Sequence, residues 1–552
     1  MSDLPLASAL CQAWKLGGEK TLAFVDFDGM TVELSYSEFQ AQVEATAQRL
    51  VSLGVGPGVT VALLGPTSLE LCRAAAAVWC VGGTLTVLAL PSRLSSLEGY
   101  VMETLSKLAQ ARVGLLLGEA DMVETFREML ELAVLSWEEL EAGRSVGAVE
   151  PSGFTSALVQ FSSGTTRDPQ PILLSAEALL ANARAVLEQF PGGADTHSCV
   201  SWLPLYHDMG LIGCFLMPML APGDLTLMGP EVFVARPELW LETISARRAT
   251  TSSAPNFALA LCADRIRLEQ VAELDLSCWS IAMVGAEPVR PGTLRRFAER
   301  FAPIGFSEKA FSPVYGLAEA TLAVSFSPLG GGLKTLGYDP DALAQEGRYQ
   351  SGESQTPSLG RPLRGVSLEI RDPDGRPLDE GRLGEVYLKS PSLMSGYLDG
   401  QEGSSRLDRN GWLGTGDMGF VYQEELYLYG RRRDILLLDG RNHDPGLVEG
   451  ALEVLPALRR CCAFTVETGP DRDGLVLACE VAKDITVEEG SLRTEILATV
   501  RRQSGLAAHN LVLLKAGTLP VTSSGKLRRQ EAARLYQEHG LELWRPTSSA
   551  SR

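Results

Sequence analysis

Ala74-Ala75-Ala76-Ala77-Val78-Trp79-Cys80-Val81-Gly82-Gly83-Thr84-Leu85-Thr86-Val87-Leu88-Ala89-Leu90 contains no charged residue and breaks at a pair of glycines. Its length approaches that of a membrane span. The half after the break, Thr84 to Leu90, is rich in strand formers, so the segment is read as a buried helix running into a buried strand. Upstream, Ser37 to Leu53 has helical periodicity and Thr60-Val61-Ala62-Leu63-Leu64 is a continuous apolar run. Helices interleaved with fully apolar strands predict a parallel sheet covered on both faces, because a strand buried on both sides has no polar face to show.

The same alternation runs to about Glu150 and resumes from Leu158 to about Phe326. Turn-rich residues then collect at Pro328 to Gly332 and Ser351 to Arg364. Short strands follow: Val366 to Arg371 and Glu385 to Lys389 bracket Asp372-Pro373-Asp374-Gly375, which reads as a turn between paired strands of a small sheet domain or barrel. Beyond Tyr427-Leu428-Tyr429-Gly430-Arg431-Arg432-Arg433-Asp434, roughly 120 residues with mixed signals suit one small α+β domain. The arginine run reads, on charge patterning, as a solvated turn.

The chain has 552 residues, 45% hydrophobic and 21% charged, which permits a large buried core and excludes a disulfide-stapled module or a disordered chain. Lys and Arg number 49 and Asp and Glu 68, a net charge of −19 that opposes nucleic acid as a partner, since backbone-tracking proteins need clustered cations. A small anionic ligand stays compatible, because a few local cations or a helix N-terminus can hold it. The 10 cysteines are scattered, with no C-x-x-C pair and no histidine at zinc-finger spacing, so a structural zinc site is not expected. Met1-Ser2-Asp3-Leu4-Pro5 lacks a basic region leading into an apolar one, so the expectation is a cytoplasmic protein with free thiols and no integral membrane segment.

Five segments bear chemistry. Phe161-Ser162-Ser163-Gly164-Thr165-Thr166-Arg167-Asp168-Pro169 follows a strand-like run, Ser156 to Gln160; it can cradle phosphate oxygens or be a plain polar turn. No Gly-Lys-Ser or Gly-Lys-Thr follows, so it is not a Walker A loop. In Trp202-Leu203-Pro204-Leu205-Tyr206-His207-Asp208-Met209-Gly210-Leu211-Ile212-Gly213 a histidine, structural or catalytic, stands ahead of a small-residue helix start. Tyr315-Gly316-Leu317-Ala318-Glu319-Ala320-Thr321 offers a ring to a purine and a carboxylate to a metal, or opens a helix with a solvent-facing glutamate. Asp417 in Gly414-Thr415-Gly416-Asp417 can accept from both ribose hydroxyls or be a turn aspartate. Pro520-Val521-Thr522-Ser523-Ser524-Gly525-Lys526-Leu527-Arg528-Arg529 sets one lysine in a Ser/Gly loop, a surface lysine if the segment stood alone.

In this order the segments resemble the adenylate-forming superfamily of acyl-CoA synthetases, luciferases and peptide-synthetase adenylation domains over about residues 10 to 535. Trp202 to Gly213, Gly285-Ala286-Glu287-Pro288-Val289-Arg290, Tyr315 to Thr321 and Gly440-Arg441-Asn442-His443 look most like the fatty acyl-AMP ligases. Leu333 to Arg348, with Tyr338-Asp339-Pro340-Asp341-Ala342-Leu343, resembles the insertion that sets those ligases apart from acyl-CoA synthetases, held to restrain the mobile C-terminal domain and disfavour coenzyme A.

The resemblance implies an α/β fold. A large N-terminal adenylation core, residues 1–430, would hold two parallel-type αβ subdomains (about 1–326), the insertion (about 328–350) and a β-rich subdomain (about 351–430). A mobile α+β cap, 431–552, would be hinged near 431–434 at Arg433. It implies ATP and Mg²⁺. Ser162, Ser163, Gly164, Thr165 and Thr166 would wrap the phosphates, Gly285, Ala286, Glu287 and Pro288 would border adenine, and Tyr315, followed by Gly316, would stack on it. Asp417 and Arg431 would hold the ribose, and Glu319 the metal. Lys526, with His207 and Glu319 as the other catalytic residues, would bridge the acid's carboxylate and the α-phosphate. Trp202, Met209 and Gly213 would line an apolar acyl pocket.

The expected activity is conversion of a fatty or related carboxylic acid to its acyl-adenylate with release of pyrophosphate. Transfer to the phosphopantetheine thiol of a separate acyl carrier protein would follow, in lipid, polyketide or lipopeptide biosynthesis; no Asp-Ser-Leu carrier signature occurs in this chain. The alternatives are an acyl-CoA synthetase and a weakened nucleotide- or acyl-binding pseudoenzyme. The sequence departs from many relatives at Arg167, Gln170 and Pro171-Ile172 in the phosphate loop, Gln170 removing a mobile cation, and at Asp444, where an aromatic is common.

Overall fold

The computed structural model describes residues 4–91, 97–143, 147, 156–162, 169–398, 407–438, 441–469, 472–483, 485, 487–522 and 526–545. Gly82-Gly83 lies between the helix Leu69–Cys80 and the strand Thr84–Val87. Gly82 takes φ +77°, the left-handed geometry that closes helices at little cost only in glycine. A Cβ on Gly83 would stand 3.0 Å from Val78 Cγ1, so the turn also needs the space. Helix and strand are buried nearly throughout, as expected of a segment with no charge.

That strand is central in a seven-stranded sheet in which Ser156–Phe161, Thr84–Val87, Thr60–Leu64, Val113–Gly118 and Ala133–Ser136 run parallel. Pro171–Ser175 and Gly396–Tyr397 close one edge antiparallel. A nine-stranded sheet has a parallel centre of Phe311–Gly316, Ile281–Val284, Thr251–Ala254, Cys199–Ser201, Leu225–Met228 and Thr21–Asp26, with antiparallel strands at both edges. One hydrophobic core joins the two sheets. The antiparallel edges qualify the all-parallel expectation: Gly29–Ser35, Pro171–Ser175 and Ala323–Phe326 each pair with the strand that precedes them in the chain, which requires no crossover helix.

Ser367–Arg371, Gly384–Lys389, Leu413–Tyr422 and Glu425–Arg431 form a four-stranded antiparallel sheet. The turn at Asp372 is present, Gly375 N donating to Asp372 O at 2.9 Å, yet it is not the whole connection. The chain after it returns along the strand it just left, Leu378 N donating to Ile370 O at 2.7 Å, and only then enters Gly384–Lys389. Thr335–Tyr338 pairs antiparallel with Ser354–Pro357, and the helix Pro340–Glu346 lies between them in sequence. After Arg431 a separate core gathers around the strands Leu458–Gly469, Arg472–Val481 and Asn510–Leu514 and the helices Pro445–Leu452 and Glu489–Ser504. The molecule is therefore a mixed α/β protein with a large N-terminal and a small C-terminal domain. No helix among the described residues is long and apolar enough to cross a membrane.

Candidate active site

In the larger sheet the parallel strands deliver their C-terminal ends to one edge, where ligands of open α/β sheets bind. Tyr315 is the penultimate residue of the strand Phe311–Gly316, and its hydroxyl donates to Asp417 Oδ2 at 2.7 Å; Arg431 Nε meets Asp417 Oδ1 at 3.1 Å. Burial, and then the Asp417 charge, hold the Tyr315 hydroxyl well above its usual pKa, so it stays a donor. Asp417 is 6% exposed and lies inside the strand Leu413–Tyr422, which removes the turn reading of this residue. The neighbouring Gly416, at φ +76°, lets its strand take the local kink.

Glu319 is 8% exposed in a short 3₁₀ turn, which removes the reading of a solvent-facing helix start. Tyr397 Oη donates to its Oε1 at 3.0 Å. Two non-glycine residues with left-handed φ flank the region: Ala286 at +66° and Thr321 at +72°. A β-branched residue there is strained by about 1–3 kcal/mol, and the fully buried Thr321 is held by its Oγ1 donating to Ser392 O at 2.7 Å. A Cβ at position 316 would lie 1.8 Å from Leu322 O, so the residue after Tyr315 has to be glycine.

His207 Nδ1 lies 2.6 Å from Asp208 Oδ1. Burial works against the Asp208 carboxylate, but His207 and then Lys526 hold its pKa below the usual range. Burial, then Arg431, pull the Lys526 ammonium below its ordinary pKa, against Asp208, Glu287 and Asp417. Burial also raises the Glu287 carboxyl, against the Phe257 N–H, Arg290, Arg460 and Lys526. A lysine of the C-terminal domain thus sits among carboxylates of the N-terminal one.

Tyr315, Glu319, His207, Asp208, Arg431 and Lys526 open on a cavity of about 660 Å³, which Asp417 and Glu287 do not line. Its walls carry Ser162, Gln170, Ala286, Gly316 and Arg433 besides, and the apolar Met209, Gly213, Met217, Met283 and Leu322. The chain Met209–Leu216 winds as a wide π-helical turn, a form that recurs at functional sites. The backbone N–H of Gln170 donates to Ser162 Oγ at 2.9 Å. Ser163, Gly164, Thr165 and Thr166 lie outside the described residues.

Trp202 is a correction: it does not line the cavity but stacks on Phe233 at 3.9 Å between ring centroids, edge-on to Trp240 and Phe257. It follows Ser201 in an extended chain, so its side chain goes to the opposite face, where an aromatic cluster receives it. Of Gly285 to Pro288 only Ala286 lines the cavity; a Cβ on Gly285 would stand 3.0 Å from Val314 O, and Glu287 accepts from Phe257 N. Sequence reasoning missed Tyr397, Asp208, Cys199, Cys214, Thr251 and Ser253. The signal for the last two was a polar run, Thr250-Thr251-Ser252-Ser253, in what the topology makes a central buried strand.

The profile of the AMP-binding enzyme family matches residues 13–398. A Caulobacter vibrioides protein provisionally named an acyl-CoA synthetase is 35% identical, over 94% of this chain and 93% of its own. A structure from a study of fatty acyl-adenylate ligases of E. coli and L. pneumophila superposes with a TM-score of 0.89 at 33% identity, over 97% of this chain and 98% of its own. An L. pneumophila fatty acyl-adenylate ligase solved with acyl adenylate and pyrophosphate gives 0.72 at 29% identity, over 97% of both chains. With a family profile over most of its length and a buried Tyr315–Asp417 pair, joined by Arg431, at the C-terminal edge of the larger sheet, the chain belongs to the AMP-binding enzymes and is an adenylate-forming ligase that uses ATP to activate a carboxylic acid.

Proposed function

We propose that this enzyme is a fatty acyl-AMP ligase that passes its acyl group to the phosphopantetheine thiol of a separate carrier protein. A carboxylate oxygen attacks the α-phosphorus of ATP, the bond to the bridging oxygen breaks, and pyrophosphate leaves with the electron pair. Two anions meet in that step, so a cation at the point of contact lowers the barrier. Lys526 fills that role, with Tyr315 stacking on adenine, Asp417 and Arg431 on the ribose, and His207 lining the approach to the carboxylate.

Mg²⁺ fits the residues present: it is commonly bound by one or two carboxylates together with substrate phosphates, and Glu319 is a buried carboxylate on the cavity wall. It would supply charge neutralisation of the departing pyrophosphate. The chain at 431–434 is the hinge, and rotation there withdraws Lys526 and admits the thiol to the acyl carbon.

The observation that carries the acyl-AMP reading is the segment after Gly332. Its helix Pro340–Glu346 packs against the C-terminal domain's strand Arg441–His443, and its Lys334 pairs with Glu425 of the β-rich sheet at 2.8 Å. An element bound to both bodies restrains their rotation. The test offers the purified enzyme a fatty acid and ATP with holo-carrier protein or with coenzyme A. Acyl-carrier without acyl-CoA is the expected result; efficient acyl-CoA formation would assign the enzyme to the acyl-CoA synthetases, as the name of the Caulobacter relative suggests.

A further inference from the structure

Asp417, assigned above to the ribose, stands in a bulged stretch of strand, and the bulge has to be held. Tyr387 is in register with Gly414 and Glu385 with Met418, so Thr415, Gly416 and Asp417 stand opposite the single residue Val386. Extra residues of this kind bend a strand and re-aim its side chains. Gly416, at φ +76°, makes the bend, and Asp417 follows it directly. The direction of the Asp417 carboxylate therefore depends on whatever fixes Gly416.

Two bonds are local to the bulge: Thr415 Oγ1 donates to Val386 O at 2.9 Å, and Asp417 N donates to Thr415 Oγ1 at 3.0 Å. The backbone of Gly416 reaches further. Its N–H donates to Glu385 Oε1 at 3.0 Å, and its carbonyl accepts from Arg432 N at 2.9 Å. Arg432 Nη1 in turn donates to Glu385 Oε2 at 3.1 Å, which closes a ring through Gly416, Glu385 and Arg432. The Glu385 side chain is only 15% exposed, and a Cβ on Gly414 would stand 3.1 Å from its Oε1, so the strand leaves room there for the carboxylate. Bonds from a backbone N–H or a guanidinium to a carboxylate are among the stronger hydrogen bonds, and this one carboxylate makes both.

We propose that Glu385 is a positioning residue for ATP: one of its oxygens fixes the bend that aims Asp417 at the ribose, and the other ties that bend to Arg432 of the hinge. The proposal rests on the reading of Asp417 as the ribose ligand. The ribose site is then fully formed only while the hinge segment is seated, and a rotation that draws Arg432 away loosens the hold on the nucleotide.

The affinity of the full-length enzyme for ATP and for 2′,3′-dideoxy-ATP, which lacks both ribose hydroxyls, is measured by direct titration. The wild type is expected to prefer ATP. Glu385→Ala should weaken ATP by about tenfold and leave dideoxy-ATP unchanged, since only the ribose contact is misaimed. Glu385→Gln keeps an oxygen for the Gly416 N–H and loses the ion pair, so its ATP affinity should stay within about threefold of wild type. Arg432→Ala should weaken ATP alone by about the same threefold, and it decides the matter if Glu385→Ala does not fold. Equal weakening of both nucleotides by Glu385→Ala, or an unchanged preference in Glu385→Ala or in Arg432→Ala, overturns the proposal. A wild type that does not distinguish the two nucleotides would overturn the ribose assignment of Asp417 itself, and the proposal with it.

Discussion

Lys526 and Asp417 belong to different domains, yet Asp417 is among the carboxylates that lift the Lys526 pKa against its burial. A cation buried beside anions it does not neutralise fully is available to a further anion at the reacting centre. Lys526→Ala is expected to lower ATP–pyrophosphate exchange by at least about a hundredfold, with ATP binding retained in a direct titration. Unchanged exchange would take Lys526 out of the reaction.

Asp444, the departure from its relatives, has a structural account: its Oδ1 accepts from Gly446 N at 2.7 Å and caps the helix Pro445–Leu452. Burial raises its carboxyl from 3.8 to about 6, against the Gly446 N–H and Arg529. Between those values the folded chain keeps a proton that the unfolded chain releases, so this group's contribution is full below 3.8 and is lost as pH rises through about 6. Asp444→Asn keeps a capping oxygen and does not titrate. Relative to wild type, its urea midpoint is therefore expected to rise across that window; a constant difference would contradict the assignment.

At the scale of elements, the helix–strand junction at Gly82-Gly83 shows how much local chemistry is readable. Thr60–Leu64 is a strand with the bounds its apolar run predicts, and Ser37 to Leu53 falls within one residue of the observed helix Tyr36–Ser52. Those segments were legible because continuous burial leaves a pattern in hydropathy. Asp417 was not legible as a strand residue, because Gly414-Thr415-Gly416-Asp417 has turn composition and only pairing with Glu425–Arg431 makes it a strand. Gly82→Ala forces a side chain into left-handed backbone and is expected to cost about 1 kcal/mol in urea unfolding. No loss would mean that another conformation closes this helix.

For the whole molecule, the question is what keeps the C-terminal domain over the cavity. Arg290, which precedes the helix Pro291–Phe301 of the N-terminal domain, pairs with Glu453 and reaches Glu449 at 3.8 Å in the C-terminal one. Behind it, Arg529 joins Glu449 at 2.7 Å to Asp434 at 3.3 Å, so the start of the C-terminal domain is tied to the same cluster. Glu453 is half exposed, which limits the pair to about 1 kcal/mol before screening. Arg290→Ala should accordingly slow exchange by no more than about fivefold, and the gap from wild type should narrow as salt is raised. A loss of a hundredfold would instead place Arg290 in contact with the reaction.

The sequence by itself determined the fold class and the order of the chemistry-bearing segments, several of whose residues line the cavity. Apolar periodicity and short polar loops are local, and they survive in one dimension. Tertiary structure alone decided which side of a strand faces the channel. Trp202 went to an aromatic cluster, whereas Cys199, three positions earlier in the same extended chain, lines the cavity. The physical reason is that a strand in a sheet covered on both faces has two buried sides, so hydropathy marks it as interior without saying which interior. Pairing between strands distant in sequence settles that, and with it which side chains line the cavity.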